Sequence, residues 1–318
     1  MGTLRICLFG GVRISHDGQP PTAHVTRSVQ SLLAYLALHR QRFHPREVLA
    51  SVFWGEQSEE RARSCLSTAL WRLRGVLEPE GIPRGTYLVS TPMGEVGFNR
   101  GSNHWLDVAA FEKKVGTVLG KRVQEMEAGD AETLQDGLSL CTSELLEGFF
   151  DDWALRERER LRSLHLRGLA HLMRYKWDTG AYEESVACGK KILELDPLRE
   201  EVHRAMMRLY VKSGQRALAI RHYQICCKVL EAELGIPPME ETQRLHRQIL
   251  AGSGDFAGQI APEQAEGEST GEETASLEQA FRKITQAMRH FEKTREHLQR
   301  AIRILGQIAG GRDRHRAK

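Results

Sequence analysis

No lysine occurs in the first 106 residues, where twelve arginines stand against eight acids, and no acid occurs between Glu60 and Glu78. Long apolar runs are also missing. Nothing approaches the ~20 consecutive residues of a membrane-crossing helix, and Met1-Gly-Thr-Leu-Arg5 opens without the apolar block of a secretory leader. A soluble, cytoplasmic chain with no membrane partner is therefore expected. The six cysteines, Cys7, Cys65, Cys141, Cys188, Cys226 and Cys227, contain no Cys-x-x-Cys pair. Reduced, buried thiols are expected in place of a disulfide framework or zinc site. Thirteen histidines lack metal-ligand spacing; His165 and His171 are expected to be surface or packing residues. There is no HExxH, no GxSxG and no GxGxxG after a strand, so no hydrolase or dinucleotide site is signalled. Gly116-Thr-Val-Leu-Gly-Lys121 has one residue too few between its glycines for a phosphate loop, lacks the following Ser or Thr, and lies in a helical context. No enzyme activity, catalytic residue, cofactor or metal is expected.

What is present suits roughly two folded domains, because 41% of the residues are hydrophobic and can fill two modest cores. The net charge of +3 hides an uneven distribution. Residues 1–106 have a surplus of four bases, 107–252 is slightly acidic, 253–276 has six acids and no base, and 277–318 has eleven bases against four acids. A mildly acidic centre between two basic ends suits an anionic partner.

Leu4-Arg-Ile-Cys-Leu-Phe9, Gly10-Gly11 and the alternating Val12-Arg-Ile14 before His16-Asp-Gly-Gln-Pro20 predict a small antiparallel sheet. From Ser28 the period becomes helical, with Val29, Leu32, Leu33, Leu36 and Ala37 on one face and an end near Arg42. Pro45 is placed early in a second helix that carries Val48, Leu49, Val52, Phe53 and Trp54 and stops at Gly55. Ser58-Glu-Glu-Arg61 opens a third helix that runs to about Glu78, where Pro79 and Gly81 close it. Tyr87-Leu-Val-Ser90, the turn Thr91-Pro-Met-Gly-Glu95 and Val96-Gly-Phe98 then form a β-hairpin. Sheet, three helices and hairpin describe a winged helix-turn-helix.

The third helix is the most informative segment. At ~100° per residue, Ala62, Leu66, Ala69, Leu70, Leu73 and Leu77 share one face. Ser64, Ser67, Thr68 and Trp71 point away from it, flanked by Arg61, Arg63, Arg72 and Arg74. A helix fits the major groove of double-stranded DNA, where hydroxyls and forked guanidinium groups read base edges and flanking arginines neutralise phosphates. Thr91 at the hairpin tip and Arg100 after the returning strand are candidate backbone contacts, although the tip itself has Glu95 and no base. Against this stands the plainer interpretation, an amphipathic helix with a solvated basic face.

From Asp107 to Leu250 nothing alternates at period two, and apolar residues recur at helical spacing. Gly180 and Gly214 lie 34 residues apart, the tetratricopeptide period, each at an expected turn between paired helices, with Leu195-Asp-Pro197 as the break between pairs. Such stacks present protein-binding surfaces. Trp153 beside Asp151 and Asp152 invites a cation cage, but packing at a helix junction is the preferred reading. Glu157 and Glu159 alternate with Arg156, Arg158 and Arg160, which describes a salt-bridged surface.

Two motifs carry a family resemblance. Arg61-Ala-Arg with Leu66-x-x-Ala69-Leu-x-Arg72-Leu-Arg74-x-x-Leu77 resembles the recognition helix of the OmpR-type winged helix in Streptomyces antibiotic regulatory proteins. Asp107-Val-Ala-Ala-Phe-Glu112 and Leu145-Leu-Glu-Gly-Phe-Phe-Asp-Asp-Trp153-Ala-Leu-Arg-Glu-Arg-Glu-Arg-Leu161 are similar to the entry of that family's bacterial transcriptional activator domain, and this second motif is the more specific. The resemblance covers about residues 4–250. It implies a nucleoid-associated, pathway-specific activator that binds promoter repeats, forms a homodimer at least on DNA, and recruits RNA polymerase including its sigma factor. It also implies that Glu56, Gln57, Ser58, Glu59 and Glu60, between the second and third helices, form the polymerase-contacting loop. The competing class is a tetratricopeptide-like adaptor whose basic N-terminal module attaches weakly to nucleic acid.

The expected fold class is mainly α. A winged helix-turn-helix of α+β type covers 1–106 and an all-α tetratricopeptide-like domain 107–252. An acidic flexible linker follows over 253–276, then an amphipathic helix or coiled coil over 277–309 and a basic tail over 310–318. The helix rests on the heptad seam Leu277, Phe281, Ile284, Met288, Phe291, Leu298, Ile302 and Leu305, interrupted by Arg295; self-association and docking onto a partner surface are both open.

Overall fold

The computed structural model describes residues 3–21 and 25–252. The linker, the heptad seam and the basic tail read from the sequence lie outside the described residues. Strand β1 (Leu4–Cys7) pairs antiparallel with β2 (Arg13–His16), Ile6 opposite Ile14, across a turn in which Gly10 adopts positive φ. Helices α1 (Arg27–Leu38), α2 (Arg46–Trp54) and α3 (Glu59–Leu77) follow, then the hairpin β3 (Leu88–Ser90) and β4 (Val96–Phe98). A further strand, β5 (His104–Leu106), lies parallel to β1 and completes the order β2-β1-β5.

Several details depart from the sequence expectation. Helix α1 ends at Leu38, four residues before Arg42, because the chain must turn to bring His44 against Val96. Those two residues exchange both backbone hydrogen bonds, at 2.8 and 2.9 Å. Pro45 precedes α2 as its N-cap, and Ser58 is the N-cap of α3 without a side-chain capping bond. Strand β5 has no local signature. Three residues cannot display a period, and their pairing with β1 bridges about 100 positions.

The remainder is helical: α4 (Asp107–Leu119), α5 (Ala128–Ser139), α6 (Asp152–Asp178), α7 (Tyr182–Leu195), α8 (Glu200–Lys212), α9 (Arg216–Leu234) and α10 (Glu240–Ala251), with a 3-10 turn at Val123–Glu125. Gly180 and Gly214 stand at the α6–α7 and α8–α9 turns with φ of +77° and +74°, a conformation open to glycine and strained for side chains with a Cβ. Thus the 34-residue spacing marks two equivalent helix-pair corners. Gly116 sits inside α4, as its helical context implied.

One continuous core runs from Leu4 and Ile6 of the sheet, through Leu32, Leu36, Leu66 and Leu73, to Phe111, Leu169, Met206 and Leu209. Two devices join the winged helix to the helical body. Buried Asp107 accepts the N–H groups of Leu8 (2.7 Å) and Phe9 (3.0 Å) through Oδ2, fixing the start of α4 to the end of β1. Burial raises its carboxyl above the ordinary range, opposed by those same hydrogen bonds. Beside it, the segment before α6 runs against the continuation of β1. Leu146 N–H donates to Leu8 O and Gly10 N–H to Glu144 O. Arg158 holds that segment from α6 by donating to the carbonyls of Leu145, Leu146 and Phe149 at 2.8–3.0 Å.

Candidate nucleic-acid interface

Leu66, Leu73 and Leu77 of α3 are fully buried, which forces the opposite face outward. On that face Arg61, Arg63, Ser64, Ser67, Thr68, Trp71 and Arg72 are all exposed. Trp71 is 69% exposed, an unusual position for an indole with no described partner ring. Arg61 and Arg72 make no ion pair among the described residues, whereas Arg63 pairs with Glu59 one turn earlier at 2.5 Å. The helix therefore offers hydroxyls, an indole and uncommitted guanidinium groups along one stripe.

Two neighbours organise the stripe. Ser67 Oγ donates to Arg63 O and accepts from Arg46 Nη2, both at 2.9 Å. Arg46 opens α2 and was not marked by the sequence reading, because only the crossing of α2 on α3 brings it there. Arg74, at the edge of the stripe, is half-buried and bonded to Glu78 Oε2 (3.3 Å) and Ser90 Oγ (3.0 Å), so it fastens α3 to the wing. Glu78, whose side chain is fully buried, accepts the N–H groups of Gly85, Tyr87 and Leu88 through Oε1 at 2.9–3.0 Å. This carboxylate sets the angle between helix and hairpin.

In the wing, Leu88 faces Phe98 and Ser90 faces Val96. Thr91 closes the tip internally: its N–H donates to Glu95 O, and its Oγ1 accepts Glu95 N–H at 3.2 Å. Met93 is 89% exposed at the apex. Phe43 covers Gly97, where a Cβ would come within 2.6 Å of the Phe43 ring. Arg100 is exposed and has no ion pair among the described residues.

The segment linking α2 and α3 is shorter than the loop that the resemblance implied. Glu56, Gln57 and Ser58 are exposed turn residues, but Glu59 and Glu60 form the first turn of α3, where carboxylates oppose the positive end of the helix dipole. Trp153 is 5% exposed and packs edge-on against Tyr35 (5.3 Å) and Phe53 (6.1 Å), so its surroundings are a packed junction and not a cation cage. Glu157 and Glu159 pair with Arg160 and Arg162 on the surface of α6. His165 lies 6.1 Å from Phe111, a packing position. No described helix is long and apolar enough to cross a membrane.

Fold and site define a class: a winged helix with an exposed, basic third helix, built onto a tetratricopeptide-like helical body. Comparison with known proteins narrows it. Residues 106–250 match the family model of the bacterial transcriptional activator domain. The chain is 30% identical over 255 residues to the regulatory protein AfsR of Streptomyces coelicolor, covering 78% of this chain and 24% of that protein. It is 26% identical over 257 residues to AfsR of Streptomyces griseus, covering 80% of this chain and 25% of that protein. The transcriptional regulatory protein MoaR1 of Mycobacterium tuberculosis is 24% identical over 240 residues, covering 71% of this chain and 72% of that one. The solved structure of Mycobacterium tuberculosis EmbR in complex with a low-affinity phosphopeptide is similar in fold, with a TM-score of 0.63 and 21% identity over 80% of this chain and 66% of that one. The chain is thus similar to transcriptional regulators of the Streptomyces antibiotic regulatory protein type, and its residues 106–250 match the activator domain family. It spans about a quarter of the length of the two AfsR proteins it matches.

Proposed function

We propose that this chain is a sequence-specific activator in which residues 1–106 bind promoter DNA and the helical domain from residue 107 supports assembly with a second protomer and with RNA polymerase, including its sigma factor. The observation that carries this reading is the outward stripe of α3, where Ser64, Ser67, Thr68, Trp71 and Arg72 stand exposed and acid-free. Inserted in the major groove, Arg72 donates to a guanine edge and Trp71 covers a thymine methyl. Arg61, Arg46 and Arg100 supply phosphate contacts around it. Glu56, Gln57 and Ser58, with the adjoining Glu59 and Glu60, present an acidic surface to polymerase. No reacting group is required, since activation is recruitment. Its setting is the nucleoid of the cytoplasm, and its targets are genes of a secondary-metabolic pathway.

Footprinting on the DNA that flanks its own gene tests the reading. A protected pair of direct repeats, with affinity ~10³-fold or more above random DNA and falling steeply with salt, is the expected result. Uniform weak binding to every fragment would make the chain an adaptor with a non-specific nucleic-acid attachment.

A further inference from the structure

A cleft of about 600 Å³ opens in the helical body, far in sequence from the recognition helix. Its walls come from the 3-10 turn and the adjoining buried Met126, from the end of α6 (Tyr175, Trp177), from Tyr182 at the start of α7, and from Lys212 at the end of α8. The volume lies within the ~300–1,000 Å³ range of small-molecule sites. Trp177 and Tyr182 meet edge to face at 5.8 Å, and both line the cleft.

The charges lining the cleft are unequal in what they can still bind. Asp178 is occupied, with both carboxylate oxygens 3.1 Å from Arg174 Nε. Lys212, by contrast, has no ion-pair partner among the described residues. The hydroxyls of Tyr175 and Tyr182 likewise make no hydrogen bond to the protein among the described residues, so their O–H groups remain available. Aromatic walls, a free ammonium and uncommitted phenol donors together select a flat ring that carries negative charge.

We propose that this cleft is a binding site for a small aromatic anion, a ring system bearing a carboxylate, sulfonate or phosphate group. The ring lies against Trp177 and Tyr182, and the anionic substituent pairs with Lys212. Because the cleft joins α6, α7 and α8 to the turn between α4 and α5, an occupant braces the helical body and raises its melting temperature. The site stands apart from DNA binding and is tested without it.

The test uses the intact chain and two probes, naphthalene-2-sulfonate and the uncharged 2-naphthol, titrated by calorimetry at neutral pH. One saturable sulfonate site per chain is expected. Lys212→Met weakens the sulfonate by about tenfold or more, the worth of a charge-assisted contact, and leaves 2-naphthol unchanged. Gln124→Trp, which adds bulk from an exposed residue of the lining without touching the helix packing, removes both. The proposal is overturned if the intact chain shows no saturable sulfonate binding below about 1 mM. It is equally overturned if Lys212→Met binds the sulfonate as well as the unaltered chain, or if Gln124→Trp does so.

Discussion

Glu78 is a fully buried carboxylate whose acceptor capacity is taken up by three peptide N–H groups and one guanidinium. Removing it leaves the buried N–H groups of Tyr87 and Leu88 without a partner. Each buried donor left unsatisfied costs about 1–3 kcal/mol, so Glu78→Ala should lose about 3 kcal/mol or more in urea unfolding. A loss below about 1 kcal/mol would mean that the hairpin entry relaxes to let water in. A second residue-scale device lies in the body, where His203 Nδ1 and His222 Nε2 are 3.1 Å apart. His203 Nε2 lies 2.9 Å from the Pro197 carbonyl, which can only accept, so His203 donates there and His222 donates to His203 Nδ1. Burial and the neighbouring His203 depress His222 to about 4 from an ordinary 6.5. The folded state therefore binds fewer protons than the unfolded one between those values. The stability this gives is present above pH 6.5 and is lost as pH falls toward 4. At pH 5 the loss from this group alone is about 2 kcal/mol. His222→Gln should flatten the decline in melting temperature between pH 6.5 and 5, and an unchanged slope would assign the acid sensitivity to other groups.

On the scale of elements, the proposed reading divides DNA binding between α3 and the wing. Arg72 stands free on the outward stripe, whereas Arg46 is held against Ser67 at the edge of α3. Arg72→Ala should weaken promoter binding by about 1–3 kcal/mol and random DNA by much less. Arg46→Ala should weaken both alike and reduce the salt slope by about one. Gel shifts over a salt series separate the two, and equal losses on both DNAs for Arg72→Ala would reassign it to phosphate positioning. The wing tip is an internally closed turn with Glu95 and no base, so under the proposed reading Arg100 is its phosphate contact. If Arg100→Ala changes neither affinity nor salt slope, the hairpin serves only to brace α3 through Arg74 and Ser90.

For the molecule as a whole, winged helix and helical body share one core, and Trp153 of α6 stands in the seam between Tyr35 of α1 and Phe53 of α2. Amides of α1 and α6 should consequently lose protection together in hydrogen exchange under mild denaturant. Trp153→Ala should destabilise both by about 3–5 kcal/mol. Separate unfolding of α1 while α6 stays protected would show the seam to be weaker than either interior. A small second cluster of Met207, Ala219, Leu245 and Ile249 carries α9 and α10, and these helices should open first.

The elements whose structure rests on neighbours in sequence were determined by the sequence itself. The buried and outward faces of α3 follow from 3.6-residue periodicity, the β3–β4 hairpin from its turn residues, and the paired helix corners from glycines 34 residues apart. Arg61, Ser64, Trp71 and Arg72 could be placed on the surface for the same reason. Tertiary structure alone decided the rest. Strand β5 exists because β1 is there to pair with it, and α1 stops where His44 must reach Val96. Arg46, Glu78, Arg158 and the aromatic cleft acquire their roles from partners on other elements. A local pattern records which face of an element avoids water, whereas the partner of a buried or bridging polar group is fixed only when distant elements pack, and no spacing along the chain encodes that distance.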